Sequence, residues 1–157
     1  MGQFLEFALN NWMLFAALLI VAAALFWNLF GNRIRGINDI APVAAVRLIN
    51  HEDAVVLDVR DAGEIKEGMI RDAVHIPLAK LKERSGELEA HRQRPVLVVC
   101  RSGNRSALGG GTLRKAGFEK VYNLAGGMNG WLSANLPVSK PASERKERKE
   151  RKKKEAK

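Results

Sequence analysis

The sequence predicts an α/β fold, an open and mostly parallel β-sheet with helices on both faces, preceded by one transmembrane helix. Short apolar runs, too brief for helices, alternate with longer amphipathic or charged segments along most of the chain. This alternation is typical of parallel strands joined by crossover helices. An uncharged apolar stretch near the N-terminus precedes these segments and predicts the transmembrane helix. With 157 residues, the chain has room for one ordinary domain plus terminal extensions.

The first predicted element, within residues 1–32, is the stretch Trp12–Phe30, in which Asn28 is the only polar residue. Its nineteen residues, at about 1.5 Å each, span roughly the thickness of the hydrocarbon core of a bilayer. Arg33 and Arg35 follow the stretch, which predicts that its C-terminal side is cytoplasmic. A buried soluble helix is disfavoured because so small a domain could hardly cover it. A cleaved signal peptide is disfavoured because no basic residue precedes the stretch.

After a connector at residues 33–39, the first half of the domain predicts two strands between helices. The range Pro42–Asn50 opens with proline, which suits the first turn of a helix. Ala54–Leu57 is apolar and too short for a helix, so it predicts a buried strand. A short helix at Asp61–Glu67 is expected to end at Gly68, and Ala73–Ile76 predicts a second strand.

The second half of the domain continues the same alternation up to residue 140. Leu78–His91 is charged and predicts a helix that could break near Gly86, and Pro95–Val99 is the most apolar of the predicted strands. Ser106–Ala116 predicts a helix, although three consecutive glycines lie inside it and predict either close packing or a weak helix. Lys120–Leu124 predicts the last strand and Gly127–Ser133 a closing helix. Ligands of such sheets bind beyond the carboxyl ends of the strands.

Cys100, the only cysteine of the chain, directly follows the most apolar strand and begins a polar loop. The loop holds Gly103 and two arginines, Arg101 and Arg105, and a predicted helix begins at Ser106. Loop N–H groups and a helix N-terminus both favour a thiolate. The alternative is a buried cysteine that acts as a small hydrophobic residue, but guanidinium groups do not fit such a site. A lone free thiol fits a reducing compartment, and the three scattered histidines predict no metal site.

Asp58 and Arg60 end another predicted strand, so they are expected at the same sheet edge as Cys100. Asp58 either accepts hydrogen bonds from backbone at the strand end or orients the cysteine loop. Arg60 would add positive charge near a bound anion. His75 is interpreted as a structural residue rather than a base, because attack by a thiolate on an anionic donor needs no base.

Four segments together resemble a single-domain rhodanese in order and spacing, over about residues 40–137. The segments are Ala54–Arg60, Gly68–Pro77, Val96–Ser106 and Gly126–Trp131. The most specific element is Cys-x-x-Gly-x-Arg, which begins at Cys100 after an apolar strand. Met69 and Asp72 depart from the pattern, since the family often has His and Gly there. One span followed by such a domain is similar to bacterial inner-membrane proteins with a periplasmic N-terminus and a cytoplasmic rhodanese domain.

The resemblance implies a sulfurtransferase that moves sulfane sulfur through a persulfide on Cys100 and needs no cofactor. The donor would be thiosulfate or a persulfide, and the acceptor a thiol or cyanide. A six-residue loop from Cys100 to Arg105 resembles sulfurtransferases, whereas the related phosphatases and arsenate reductases carry one residue more. The implied substrate-binding residues are Arg101, Ser102, Gly103, Asn104, Arg105 and Arg60, with Asp58 and Ser106 in supporting positions.

The C-terminal residues 141–157 predict a basic, disordered tail. Ala142–Lys157 holds nine Lys or Arg against four Glu and no large apolar residue. The tail could serve solubility, contact anionic lipid or bind RNA; without aromatic residues, any nucleic-acid contact would be unspecific. The alternative function is a membrane-tethered rhodanese-fold scaffold that binds protein partners, including membrane proteins, through its span and tail.

Overall fold

The computed structural model describes residues 10–34 and 37–140. Contacts divide the chain into two compact units, residues 1–35 and 36–157. The described part of the first unit contains helix α1, Trp12–Ile34. Within the described residues no helix is both long and apolar enough to cross a bilayer, so the predicted transmembrane helix finds no support here. The predicted basic tail at residues 141–157 lies outside the described residues.

The second unit is built on a five-stranded sheet in which every pair of neighbouring strands is parallel. The order across the sheet is β1-β5-β4-β2-β3. The strands are β1 at Asn38–Ile40, β2 at Val55–Asp58, β3 at Val74–His75, β4 at Val96–Val99 and β5 at Val121–Leu124. This topology confirms the predicted open parallel sheet.

Helices cover both faces of the sheet and divide the core into two clusters. They are α2 at Pro42–His51, α3 at Leu78–Arg84, α4 at Asn104–Lys115 and α5 at Gly127–Ser133. On one face, Leu81 and Leu113 from α3 and α4 pack with Val98 of the central strand. On the other face, Leu48 and Trp131 from α2 and α5 pack in a second cluster. Because β2 and β4 are buried on both faces, their sequences are continuous apolar runs.

Two elements differ from the prediction, and a third is divided at the place where a break was considered. The short helix expected at Asp61–Glu67 is only a 3-10 turn at Glu64–Glu67. The charged segment after Pro77 is divided near Gly86, a poor helix former, into α3 and a 3-10 helix at Ser85–His91, in agreement with the break that the sequence left open. Strand β1 lies partly within the predicted connector and was not predicted. It has only three residues, two of them polar, and therefore carries no strand pattern.

The consecutive glycines of α4 allow close packing of the helix on the sheet. A Cβ at Gly110 would lie 3.1 Å from Ile37 Cδ1 and 3.2 Å from Val121 Cγ1. A Cβ at Gly109 would lie 3.3 Å from Leu81 Cδ2. These distances are tighter than ordinary side-chain contacts, so the glycines seat α4 against the sheet. Of the two alternatives left open by the sequence, close packing is the one that the contacts support.

Candidate active site

Cys100 directly follows β4 and is fully buried at the carboxyl edge of the sheet. One group of its own loop and one from the first turn of α4 donate hydrogen bonds to its sulfur. The Gly103 N–H lies 3.1 Å from Sγ, and the Ser106 hydroxyl oxygen lies 3.2 Å from it. Gly103 adopts a φ of 101°, in the left-handed region that favours glycine, and this conformation turns its N–H toward the sulfur. A sulfur that accepts two hydrogen bonds is prepared to carry negative charge.

Helix α4 begins directly after Gly103 and adds its positive end to this environment. Its first described intrahelical bond runs from the Ala107 N–H to the Gly103 carbonyl oxygen, at 3.1 Å. The N–H groups of residues 104–106 therefore precede the regular helical ladder. Among the described residues, no side chain caps this end. Free N–H groups and the helix dipole both stabilise an anion at this position.

The start of helix α5 lies directly against the backbone of the cysteine loop. The Met128 N–H donates to the Cys100 carbonyl oxygen at 2.8 Å, and the Asn129 N–H donates to the Arg101 carbonyl oxygen at 3.0 Å. A Cβ at Gly127 would overlap the Cys100 carbonyl oxygen and lie 2.7 Å from the Arg101 carbonyl oxygen. The N–H groups of α5 therefore hold the cysteine loop in place, and they can approach it this closely only because residue 127 is glycine.

Arg105 forms a bidentate ion pair with Glu64, on the turn that follows β2. Its Nη1 and Nη2 donate to the two carboxylate oxygens of Glu64 at 2.8 and 2.7 Å, and Nη1 also lies 3.2 Å from Asp61 Oδ2. The hydrogen bonds from Arg105 lower the pKa of Glu64 from 4.5 to about 2, and the same pair raises the pKa of Arg105. The guanidinium thus braces the cysteine loop against this turn.

Asp58 and Arg60 form a buried ion pair at the end of β2. Their side chains are only 1% and 5% exposed, and Arg60 Nη2 lies 2.7 Å from Asp58 Oδ2. The Arg60 backbone N–H also donates to Asp58 Oδ1 at 3.0 Å. Arg60 further donates to the carbonyl oxygens of Gly68 and Glu64, at 2.7 and 3.4 Å. The pair therefore supports the turn that carries Glu64, and so acts on the cysteine loop through Arg105.

The described hydrogen bond of His75 runs to backbone rather than to the Cys100 sulfur. The His75 Nε2 lies 2.8 Å from the carbonyl oxygen of Arg60, across the β2–β3 edge. The ring therefore joins the backbone of β3 to the end of β2. This contact is the kind that a structural histidine makes.

The outer surface of the site is formed by the exposed residues Arg101, Ser102 and Asn104. Beside Arg101 lies a cleft of about 70 Å³ between the Glu64–Gly68 turn and α5. The lining residues are Arg60, Glu64, Glu67, Gly68, Arg101, Met128, Asn129, Leu132 and Val138. At about 10–15 Å³ for each water, the cleft has room for a few waters or one small anion. Of the arginines named from the sequence, Arg101 is the exposed one at this opening.

The structure thus brings most of the predicted site residues together at one edge of the sheet: Cys100, Gly103, Ser106, Arg105, Arg60 and Asp58. The exposed residues Arg101, Ser102 and Asn104 lie at the surface.

Sequence reasoning missed Glu64, because nothing in the sequence joins it to Arg105, 41 positions away. It also missed Asn123, a buried polar residue in an otherwise apolar strand. A polar residue within an apolar strand was the feature of the sequence that could have identified Asn123. Among the described residues, no cluster of His, Cys, Asp or Glu could hold a metal ion.

The family model described as Rhodanese-like domain matches residues 42–134. The uncharacterized protein YibN of Escherichia coli is 33% identical over 139 residues, which is 88% of this chain and 97% of that protein. The thiosulfate sulfurtransferase GlpE of Coxiella burnetii is 38% identical over 100 residues, or 64% of this chain and 91% of that protein. The solution structure of the polysulfide-sulfur transferase homodimer from Wolinella succinogenes is 30% identical, with a TM-score of 0.63, and covers 77% of this chain and 90% of that chain.

Proposed function

This chain belongs to the rhodanese-like family, and from that premise we propose that it is a sulfurtransferase that carries sulfane sulfur as a persulfide on Cys100. The observation that supports the proposal most directly is the environment of the sulfur. Cys100 Sγ accepts hydrogen bonds from Gly103 and Ser106 beside the N-terminus of α4. A purely structural buried cysteine has no need of donors or of a positive helix end.

In the first half-reaction, the Cys100 thiolate attacks the outer, sulfane sulfur of the donor. With thiosulfate, a bond forms between Sγ and the sulfane sulfur while the bond from that sulfur to the sulfite group breaks. Sulfite leaves with the electron pair, and the enzyme retains the cysteine persulfide. The Gly103 N–H and the Ser106 hydroxyl stabilise the attacking thiolate before the bond forms.

In the second half-reaction, a nucleophilic acceptor attacks the terminal sulfur of the persulfide. The bond between the two sulfurs of the persulfide breaks, and Cys100 leaves as a thiolate. The products are thiocyanate when cyanide is the acceptor and a new persulfide when the acceptor is a thiolate. The same two donors now stabilise the leaving group, and the N–H groups at the start of α4 are placed to stabilise the negative terminal sulfur.

The anionic donor is expected to approach past Arg101. This side chain is exposed at the small cleft, whereas the guanidinium groups of Arg60 and Arg105 are engaged with carboxylates. The cleft of about 70 Å³ has room for a small anion beside Arg101. Relatives named for thiosulfate and for polysulfide make both compounds reasonable donors to test.

The deciding experiment measures sulfur transfer by the full-length chain from thiosulfate to cyanide, with Cys100→Ser as the matched variant. We expect thiocyanate formation by the wild type and its loss in Cys100→Ser. Thiosulfate alone should increase the mass of the wild-type chain by one sulfur atom, and dithiothreitol should reverse the change. If thiosulfate and polysulfide both leave the mass unchanged, the enzyme proposal is wrong and the scaffold alternative is favoured.

A separate part of the proposal is localisation, which rests on the sequence alone. We infer that Trp12–Phe30 anchors the chain in a bacterial inner membrane, with residues 40–140 in the cytoplasm, because Arg33 and Arg35 follow the apolar stretch. Membrane fractionation and a C-terminal reporter test this inference. Recovery in the soluble fraction, or a reporter active in the periplasm, would contradict it. The contact of residues 141–157 with anionic lipid stays a prediction, tested with vesicles that contain phosphatidylglycerol.

A further inference from the structure

Asn123 lies in β5 on the same face of the sheet as Cys100 and Val121. It is only 3% exposed, and it pairs in register with Val98 of the central strand. A buried amide in the middle of an apolar strand lowers stability compared with an apolar residue of the same size, unless its hydrogen bonds are satisfied. Such a residue needs an explanation beyond packing.

The contacts of the Asn123 amide run in two directions. Its Nδ2 donates to Asp39 Oδ1 at 2.7 Å, across the β1–β5 pair in which the two residues are in register. The same Nδ2 lies 3.8 Å from the position that a Cβ on Gly103 would occupy. The amide therefore lies between the carboxylate of Asp39 and the turn of the cysteine loop.

The carbonyl oxygen of the Asn123 amide, Oδ1, lies in a different environment from Nδ2. Among the described residues, Asn123 Oδ1 is buried and has no hydrogen-bond partner. The orientation of the amide follows from Asp39, because a carboxylate accepts hydrogen bonds and cannot face Oδ1. Asp39 therefore fixes the amide in place even though one of its polar atoms remains unsatisfied.

We propose that Asn123, held by Asp39, is a positioning residue for the sulfur transfer proposed above. The amide Nδ2 borders the space that a Cβ on Gly103 would occupy, and in this role it keeps Gly103 at its φ of 101°, with its N–H 3.1 Å from Cys100 Sγ. Asn123 touches neither the sulfur nor the substrate in this role. Its effect on the reaction passes through the Gly103 N–H, which stabilises the thiolate as nucleophile and as leaving group.

The test replaces Asn123 with leucine, which has the same branched arrangement of side-chain heavy atoms, is somewhat larger, and removes both polar atoms. The readout is the pH midpoint for alkylation of Cys100 by iodoacetamide in the full-length chain, which reports the thiolate directly. We expect the midpoint to rise by about half to one pH unit, the size of a lost helix-end or N–H interaction. The turnover of thiosulfate should fall by about tenfold.

Val121→Ala is the matched control, because Val121 lies two residues earlier on the same strand and face. It should lower stability without moving the alkylation midpoint. Asp39→Ala removes the acceptor from a more exposed position and should raise the midpoint as Asn123→Leu does. Asp39→Asn keeps an oxygen acceptor, so its alkylation midpoint should stay closer to that of the wild type. These Asp39 variants test the proposal even if Asn123→Leu does not fold.

The positioning role would be overturned if Asn123→Leu and Asp39→Ala both leave the alkylation midpoint unchanged while they lose as much stability as Val121→Ala. The alkylation readout requires no sulfur transfer. A wild type that forms no persulfide would therefore refute the proposed function, while the shift of the midpoint would still decide the role of Asn123.

Discussion

Gly127 lies so close to Cys100 that a Cβ at position 127 would overlap the carbonyl oxygen of Cys100. Two consecutive N–H groups, those of Met128 and Asn129, then donate to the carbonyl oxygens of Cys100 and Arg101. The loop that carries the thiol is thus held by backbone from another part of the chain. A change at Gly127 should alter the site without removing any catalytic side chain.

Gly127→Ala should therefore destabilise the domain and misplace the loop. Gly127 has a φ of 56°, and the added Cβ would lie within 2.7 Å of the Arg101 carbonyl oxygen. Backbone cannot move aside as a side-chain end can, so we expect a loss of about 3 kcal/mol and little persulfide formation. Urea unfolding and mass spectrometry measure the two effects. Gly86→Ala is the control, because a Cβ there meets nothing within 4 Å.

Ser106→Ala should slow sulfur transfer more than it lowers stability. The Ser106 hydroxyl lies 3.2 Å from Cys100 Sγ and 3.0 Å from the Gly103 carbonyl oxygen, and negative charge on the sulfur strengthens its hydrogen bond to Sγ. Loss of one hydrogen bond to a charged group predicts a fall in turnover of about tenfold. Thr112→Ala, which removes an exposed hydroxyl from the same helix, is the control. Equal turnover in Ser106→Ala and the wild type would contradict this role.

The Glu64–Arg105 pair should make stability depend on pH in the acid range. The pKa of Glu64 falls from 4.5 to about 2 on folding because of the hydrogen bonds from Arg105. A carboxylate whose pKa is lowered by folding stabilises the domain above its unfolded pKa and loses this effect as pH falls toward the folded value. Between about pH 5 and pH 2, the wild type should lose about 1 kcal/mol more than Glu64→Gln, since the pair is partly exposed. Urea unfolding measures the free energy of unfolding at each pH. An equal loss of this free energy with falling pH in the two proteins would contradict the expectation.

Asp58→Asn should be strongly destabilising, because it leaves the buried guanidinium of Arg60 without its counter-charge. Both side chains are at most 5% exposed, and removal of one partner of such a pair costs about 3 kcal/mol or more. Chemical denaturation measures the change. Glu87→Gln removes the acid of an exposed pair with Arg84 and should leave the unfolding midpoint unchanged. Equal denaturation midpoints for Asp58→Asn and Glu87→Gln would show that burial of the Asp58–Arg60 pair has no energetic importance.

The position of Cys100 could be predicted because it depends on one strand and on a general rule. The apolar run Val96–Val99 specifies a central strand, and a parallel sheet presents the residue after such a strand at its carboxyl edge. The turn at Gly103 could also be predicted, since the loop motif places glycine at the residue that needs a positive φ. These features are local in sequence.

The contacts that fix the loop could not be predicted, because they join residues that are distant in sequence. Glu64 reaches Arg105 across 41 positions, and Asn123 reaches Asp39 across 84. Many carboxylates of the domain could have satisfied Arg105, and only the packed fold selects one of them. Strand β1 escaped prediction for a similar reason, since its three residues become a strand only through pairing with β5.

The pairing of β1 with β5 also has a consequence for biosynthesis. The first strand of the domain finds its partner only when the last strand has been made, and α5, which closes the cysteine loop, follows still later. On the ribosome, a nascent chain that ends at α4 already contains the thiol but lacks the backbone groups that enclose it. Enclosure of the nucleophile therefore requires nearly the whole domain, and a chain truncated before α5 should carry a less shielded cysteine.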